Sequence, residues 1–339
     1  MKLRKKLLSF LLFLVCLEII LRISGIYTTY LERVTGQYFY FYRQKKPTWF
    51  HTYVPDLMYE SIQPEFHYSY RCNDIGHREI DFKQFKQDTS DIKILCLGDS
   101  FTEGDGTCYD STWVKFFERR IQLTTNKTVK LYNAGVNGSD VFFNNTMLVN
   151  KLVESNPDLV IECVNISDIH DYIWRGGLER FNPDGTTSYK VGPSWEPLFK
   201  YSHVFRAFIQ TIINYDQNLV WRVTKKEQEL SALDSVFAQI ARNSEWCNQN
   251  NIKYLVIYHP TPHQIKQEFH YSEVFENKIQ LLPYAVSTYN QTHDTINKEN
   301  LVNYSWPING HWNSKGYLLM GNLIFDQISK RQEFTYLFQ

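Results

Sequence analysis

The sequence predicts an α/β fold built around a parallel sheet, and two observations carry that expectation. From about residue 92 onward, short apolar runs alternate with stripes of helical period, the rhythm of βαβ units. The runs are continuous rather than alternating, as expected for strands covered on both faces. The first of them, Ile94-Leu95-Cys96, enters a Gly-bounded turn that presents Ser100.

Taken from the N-terminus, the first element is a membrane anchor. Lys2, Arg4, Lys5 and Lys6 precede an uncharged apolar run from Leu7 to Leu17. No small-x-small cleavage site follows, and Cys16 lacks the small residue before it that a lipoprotein site needs. Continued to Tyr27 the segment holds 21 residues, within the span of about 17–25 that crosses a bilayer. Glu18 and Arg22 stand at i,i+4 and can pair on one helix face. Residues 1–6 thus read as a cytoplasmic basic flank and residues 7–27 as an uncleaved transmembrane signal anchor. The remainder is expected outside the inner membrane, in the periplasm.

Residues 28–90 read as an aromatic, loop-rich lead-in containing Tyr70-Arg71-Cys72-Asn73-Asp74-Ile75-Gly76-His77-Arg78. Residues 91–339 read as the α/β domain. Its candidate strands are Lys93–Leu97, Val129–Tyr132, Leu159–Val164 and Lys253–Tyr258. Ser111 is a candidate cap for a helix with Trp113, Phe116, Phe117 and Ile121 on one face. Leu230, Leu233, Phe237, Ile240 and Ala241 mark a second stripe, and Leu318, Leu319, Leu323 and Ile324 a last one. Residues 172–228 break the rhythm with Gly176-Gly177, Asp184-Gly185 and Gly192-Pro193, which reads as an insertion walling the site.

Composition narrows the partners. The chain has 339 residues with 36 basic and 36 acidic side chains, and no basic run outside the N-terminal flank. A nucleic-acid partner normally leaves a basic stripe, so none is expected. The six cysteines form no CxxC pattern and no histidine pair has metal-ligand spacing, so neither metal nor cofactor is expected. Cys96 and Cys163 lie in strand-like runs and are expected to be buried. Cys72 and Cys108 both lie near the proposed site and can pair in an oxidising compartment.

Two motifs carry the chemistry. Leu97-Gly98-Asp99-Ser100-Phe101-Thr102-Glu103-Gly104 follows the first strand, and Asn309-Gly310-His311-Trp312-Asn313-Ser314-Lys315-Gly316 precedes the last helix. Together they resemble the first and last sequence blocks of the SGNH (GDSL) hydrolases, and the Asn73, Gly76 and Arg78 segment resembles one found in membrane-anchored members. The resemblance implies a three-layer α/β/α flavodoxin-like sandwich with a mainly parallel five-stranded sheet, preceded here by one transmembrane helix. It implies Ser100 as nucleophile and His311 as the base that takes its proton. Asn133-Ala134-Gly135-Val136-Asn137-Gly138-Ser139 resembles the second block, with Gly138 as an oxyanion-hole donor.

The third and fifth blocks depart from the pattern. Relatives end the third strand in Gly-Asn-Asp; alignment on Asp168 puts Ser167 at the Asn position, and either Ser167 or Asn165 can stand in as donor. The family places an Asp two or three residues before the histidine. Here those positions hold Asn309 and Ile308, leaving Asn309 to orient His311 without a charge. Asp99 is expected to brace the turn and Asp168 to support it. His170, Asp171, His259 and His263 also fall near the predicted strand ends. The implied activity is serine-dependent acyl-ester hydrolysis or O-acyl transfer at the cell envelope, on an acylated polysaccharide or lipid. The competing reading is a non-catalytic carbohydrate-binding or envelope-assembly protein that kept the fold.

Overall fold

The computed structural model describes residues 2–25, 52–183, 198, 202–212, 226–267 and 271–338. A helix, α1 (Lys2–Ser24), comes first, and its segment Arg4–Ser24 is long and apolar enough to cross a membrane, with its side chains unburied. The expected Glu18–Arg22 pair forms, at 2.7 Å.

The described part of the lead-in sets regular elements among its loops. β1 (Met58–Ile62) and β2 (His67–Arg71) pair as an antiparallel hairpin, followed by α2 (Phe82–Gln87). Then come β3 (Ile92–Leu97), α3 (Ser100–Glu103), α4 (Trp113–Gln122), β4 (Val129–Asn133), α5 (Val141–Asn150), β5 (Leu159–Val164) and α6 (Ser167–Arg175). Of the expected insertion at about 172–228, residues 184–197, 199–201 and 213–225 lie outside the described residues. Within it is α7 (His203–Thr211), and α8 (Lys226–Gln249) follows. The chain continues through β6 (Lys253–Tyr258), α9 (Pro262–Lys266), α10 (Ser272–Gln280), β7 (Ala285–Ser287), α11 (Tyr289–Thr295) and α12 (Ser314–Ser329).

β3 to β7 form one sheet in the order β4-β3-β5-β6-β7, with every neighbouring pair parallel. Counted within the sheet this is 2-1-3-4-5, the flavodoxin-like order. The four expected strands are present within a residue of their predicted ends. Side chains alternate between two cores, as successive residues of a strand must. Leu95, Leu97, Val160, Val164 and Val256 share one core with Phe143 and Met147 of α5 and Leu233, Val236 and Ile240 of α8. Ile94, Cys96, Ile161, Cys163 and Ile257 share the other with Trp113 and Phe117 of α4 and Tyr317, Ile324 and Phe325 of α12. The three-layer α/β/α sandwich is the one expected.

Three local expectations are corrected. Thr112, not Ser111, caps α4 by accepting from Lys115 N; Ser111 closes a short 3-10 turn just before it. The α12 stripe is displaced, because Leu318 is exposed while Tyr317, Met320, Ile324 and Phe325 are buried. Cys72 and Cys108 are both free thiols, the first buried and the second exposed.

Candidate active site

The order reverses between β3 and β5, and ligands of open α/β sheets bind outside the carboxyl ends of the strands at such a switch point. Leu97 ends β3 there, and Gly98-Asp99 turns the chain into α3, whose first residue is Ser100. Its backbone N–H, at a helix start, has no intrahelical acceptor. Asp99 caps the helix through Phe101 N, and its Oδ2 accepts from Asn165 Nδ2 at 2.9 Å and Ser167 Oγ at 3.1 Å. These contacts tie the turn to α3 and to the segment after β5.

His311 reaches this turn from the loop before α12. Its Nε2 lies 2.7 Å from Ser100 Oγ, and its Nδ1 lies 2.7 Å from Asn309 Oδ1. An amide oxygen only accepts, so Nδ1 carries the proton and the Nε2 lone pair faces the serine hydroxyl. That is the tautomer a general base needs. The loop is held from outside: Glu65 accepts from Ile308 N and Asn309 N, and Trp306 N donates to His311 O.

The pair opens on a cavity of about 240 Å³ lined by Ser100, Gly138, Ser167, Arg175, His263 and His311, among others. Gly138 adopts φ +73, and a Cβ there would stand 3.0 Å from Arg175 Nη2. A side chain is thus disfavoured by the backbone. Its predecessor Asn137 donates its N–H to Glu103 Oε2 at 2.5 Å. Burial pushes the Glu103 carboxyl up to about 7, with the Asp105 charge adding and Arg78 opposing.

The structure brings Ser100, His311, Asn309, Gly138, Ser167 and Asp99 together around the cavity. Asn165 is fully buried and is not in the lining; besides Asp99 it engages Ser167, whose N donates to its Oδ1 and whose single hydroxyl proton is shared between that oxygen and Asp99 Oδ2. Asp168 lies behind it, accepting from Asn165 N, and burial raises its carboxyl well above the usual range. His170, Asp171 and His263 line the cavity, whereas His259 is buried against Phe101. Burial holds both His259 and His263 below the ordinary histidine range.

Two side chains at the site were not anticipated. Arg175 extends from the end of α6 into the cavity and pairs with Asp171 at 3.2 Å. Asp105 Oδ2 lies 3.5 Å from His311 Nδ1.

No family model and no curated protein matches the sequence. Among solved structures, the chain is similar to the lipase Lip_vut3 from a goat rumen metagenome, at 16% identity and TM-score 0.45, over 69% of this chain and 95% of that one. It is also similar to Axe2, an acetylxylan esterase from Geobacillus stearothermophilus, at 13% identity and TM-score 0.45, over 71% of this chain and 96% of that one. The site's own geometry carries the reading that follows. The sheet order, the serine at the end of its first strand and the histidine ahead of the last helix give the fold that the resemblance to SGNH hydrolases implied.

Proposed function

We propose that this protein is a serine-dependent acyl-ester hydrolase or O-acyltransferase of SGNH type. One observation carries the reading: Ser100 Oγ and His311 Nε2 stand at 2.7 Å while Nδ1 donates to a neighbouring amide oxygen. A hydroxyl is a weak nucleophile until a base in hydrogen-bond reach takes its proton, and this arrangement supplies that base in the correct tautomer.

Ser100 Oγ attacks the ester carbonyl carbon as its proton passes to His311 Nε2. The carbonyl oxygen becomes an oxyanion beside the N–H groups of Ser100 and Gly138, with the Ser167 hydroxyl at the cavity wall. Collapse breaks the bond to the alcohol, which leaves with the proton from His311. Water, or a second hydroxyl in the transfer reaction, then attacks the acyl carbon as its proton passes to His311, and the acyl–Oγ bond breaks as His311 returns that proton to Ser100.

The substrate class follows from location. An anchor of residues 7–27 with its basic flank in the cytoplasm holds the site in the periplasm beside the inner membrane, where acylated polysaccharides and lipids are esters within reach. The non-catalytic reading draws on a separate observation: the Asn165 amide and the Ser167 hydroxyl both engage Asp99, which leaves fewer donors for an oxyanion.

Fluorophosphonate labelling of intact membranes separates the two readings. The catalytic reading expects labelling of the wild type and none of Ser100→Ala, with the melting temperature nearly unchanged. Equal labelling of both would remove Ser100 as nucleophile. No labelling of either, with an acylated sugar still bound, would establish the binding protein.

A further inference from the structure

Asn309 fixes the tautomer of His311 but brings no charge to stabilise the imidazolium formed when Ser100 gives up its proton. We propose that Asp105 supplies that charge, as the acid of a triad whose third member has moved from the histidine loop to the turn after the serine. The inference rests on the hydrolase reading and adds a positioning residue to it.

Asp105 Oδ2 is 3.5 Å from His311 Nδ1, with the two side chains only 14% and 19% exposed. A pair so little exposed is screened far less than one on the surface. The carboxylate is aimed, not merely nearby. Its Oδ1 accepts from Tyr68 OH at 2.8 Å, which turns Oδ2 toward the ring. Its backbone is fixed at both ends: the N–H donates to Ser100 O and the carbonyl accepts from Tyr317 OH at 2.8 Å. Gly104 before it and Thr107 after it give their carbonyls to the buried Arg78 guanidinium, at 2.9 and 2.6 Å. The nucleophile and the acid therefore belong to one rigid turn.

Nδ1 then faces two oxygens with divided work. Asn309 Oδ1, at hydrogen-bond distance, takes the proton's direction; Asp105 Oδ2 supplies the negative charge. His263 lines the same cavity and interacts electrostatically with His311, and Phe101 packs against the His311 ring at 4.7 Å between centroids.

The test is a charge relocation in the full-length protein in detergent, assayed on p-nitrophenyl acetate. Asp105→Asn keeps an acceptor for Tyr68 and puts an uncharged NH₂ donor where the carboxylate oxygen faces Nδ1. It is expected to lower kcat, by up to the roughly 10⁴ lost when a triad Asp becomes Asn, with KM little changed. Adding Asn309→Asp to Asp105→Asn returns a carboxylate to Nδ1 and is expected to recover at least about tenfold of the loss. A purely structural Asp105 would show a loss that Asn309→Asp does not restore, and that result overturns the inference. So does Ser100-dependent turnover indifferent to Asp105→Asn, which leaves the hydrolase reading standing. Turnover that survives Ser100→Ala overturns both. If Asp105→Asn does not fold, Tyr68→Phe removes the bond that aims the carboxylate: a fall in kcat at constant KM supports the inference, and an unchanged kcat overturns it.

Discussion

Asn309 stands where the family resemblance called for an aspartate, and the structure shows both what the amide does and what it leaves to others. Its oxygen selects the reactive tautomer of His311, while a carboxylate already lies near the same nitrogen. Asn309→Asp alone therefore places two negative groups around one Nδ1–H, and like charges at that range oppose each other's ionisation. The expected gain in kcat is less than about tenfold, against the roughly 10⁴ that hangs on the acid where no second one exists. A larger gain would show that the Asp105 charge does not reach the ring. Ser100 and His311 were legible because each sits at an element boundary with a recognisable pattern of small and polar neighbours. Asp105 was not, since a Gly-Asp-Gly turn reads as a simple loop and its partner lies near the other end of the domain. Asn165 and Ser167 were placed on one face by strand alternation, but β5 ends at Val164. Beyond that point the alternation no longer applies, and both side chains converge on Asp99 instead.

At the scale of elements, the hairpin and the turn that follows it grip the site from outside the sandwich. Asn73 organises that turn through Ile75 N and His77 N and ties it to Tyr132 OH. Arg78 then reaches the acid turn, its guanidinium stacked over Tyr68 and Tyr70 at 4.5 and 4.8 Å from the ring centres. Arg78→Ala would leave two carbonyls without charged donors, an expected loss of about 3 kcal/mol by denaturant unfolding, with a fall in activity. Arg78→Lys should not restore either, because one ammonium cannot hold both carbonyls in the geometry of a planar fork. Restoration by Lys would mean that charge alone matters. The hairpin escaped the sequence reading because only Tyr59 of β1 and Tyr68 of β2 are buried, so neither strand shows an apolar run. β7, at three residues, is too short to register as one.

The same scale holds a pH dependence. Glu103 accepts from Tyr53 OH, Tyr70 OH and Asn137 N, and burial raises its carboxyl from 4.5 to about 7, helped by Asp105 and opposed by Arg78. A raised folded-state value favours the protonated acid in the fold. Its stabilising contribution is thus complete below the ordinary glutamate range and is lost as pH rises through about 7. Within that window each pH unit removes up to about 1.4 kcal/mol. Glu103→Gln keeps the shape but cannot ionise, so the stability of the wild type relative to this variant should fall between about pH 5 and about pH 8. A difference that is flat across that range would show that Glu103 keeps one protonation state throughout.

For the whole molecule, the open question is how a soluble-looking sandwich sits on its anchor, and Glu18 bears on it. Besides pairing with Arg22, Glu18 accepts from Ser202 Oγ, His203 N and Val204 N, each at 2.9 Å. It therefore caps α7 from within the anchor, about 9 Å along the axis from Ser24 at the helical rise. A charge in an apolar span is costly unless it is paired, and these contacts supply the partners. They also account for an acidic residue within the apolar pattern of α1. We expect the basic flank inside and the domain outside, so a phosphatase fused after residue 40 should be active and the chain should stay with membranes at full length. A soluble product with a new N-terminus near residue 25 would refute the anchor. Glu18→Leu makes the span more apolar, so membrane partitioning should persist. The same change takes the acceptor from His203 N and Val204 N, at about 1–3 kcal/mol, while Ser202 still caps Phe205 N. Protease added from the periplasmic side should then cut within 202–212 faster than in the wild type, while Ser100-dependent activity changes little. An unchanged cleavage pattern would mean that α7 does not depend on the anchor for its start, and that the domain is tethered to the membrane without being docked on it.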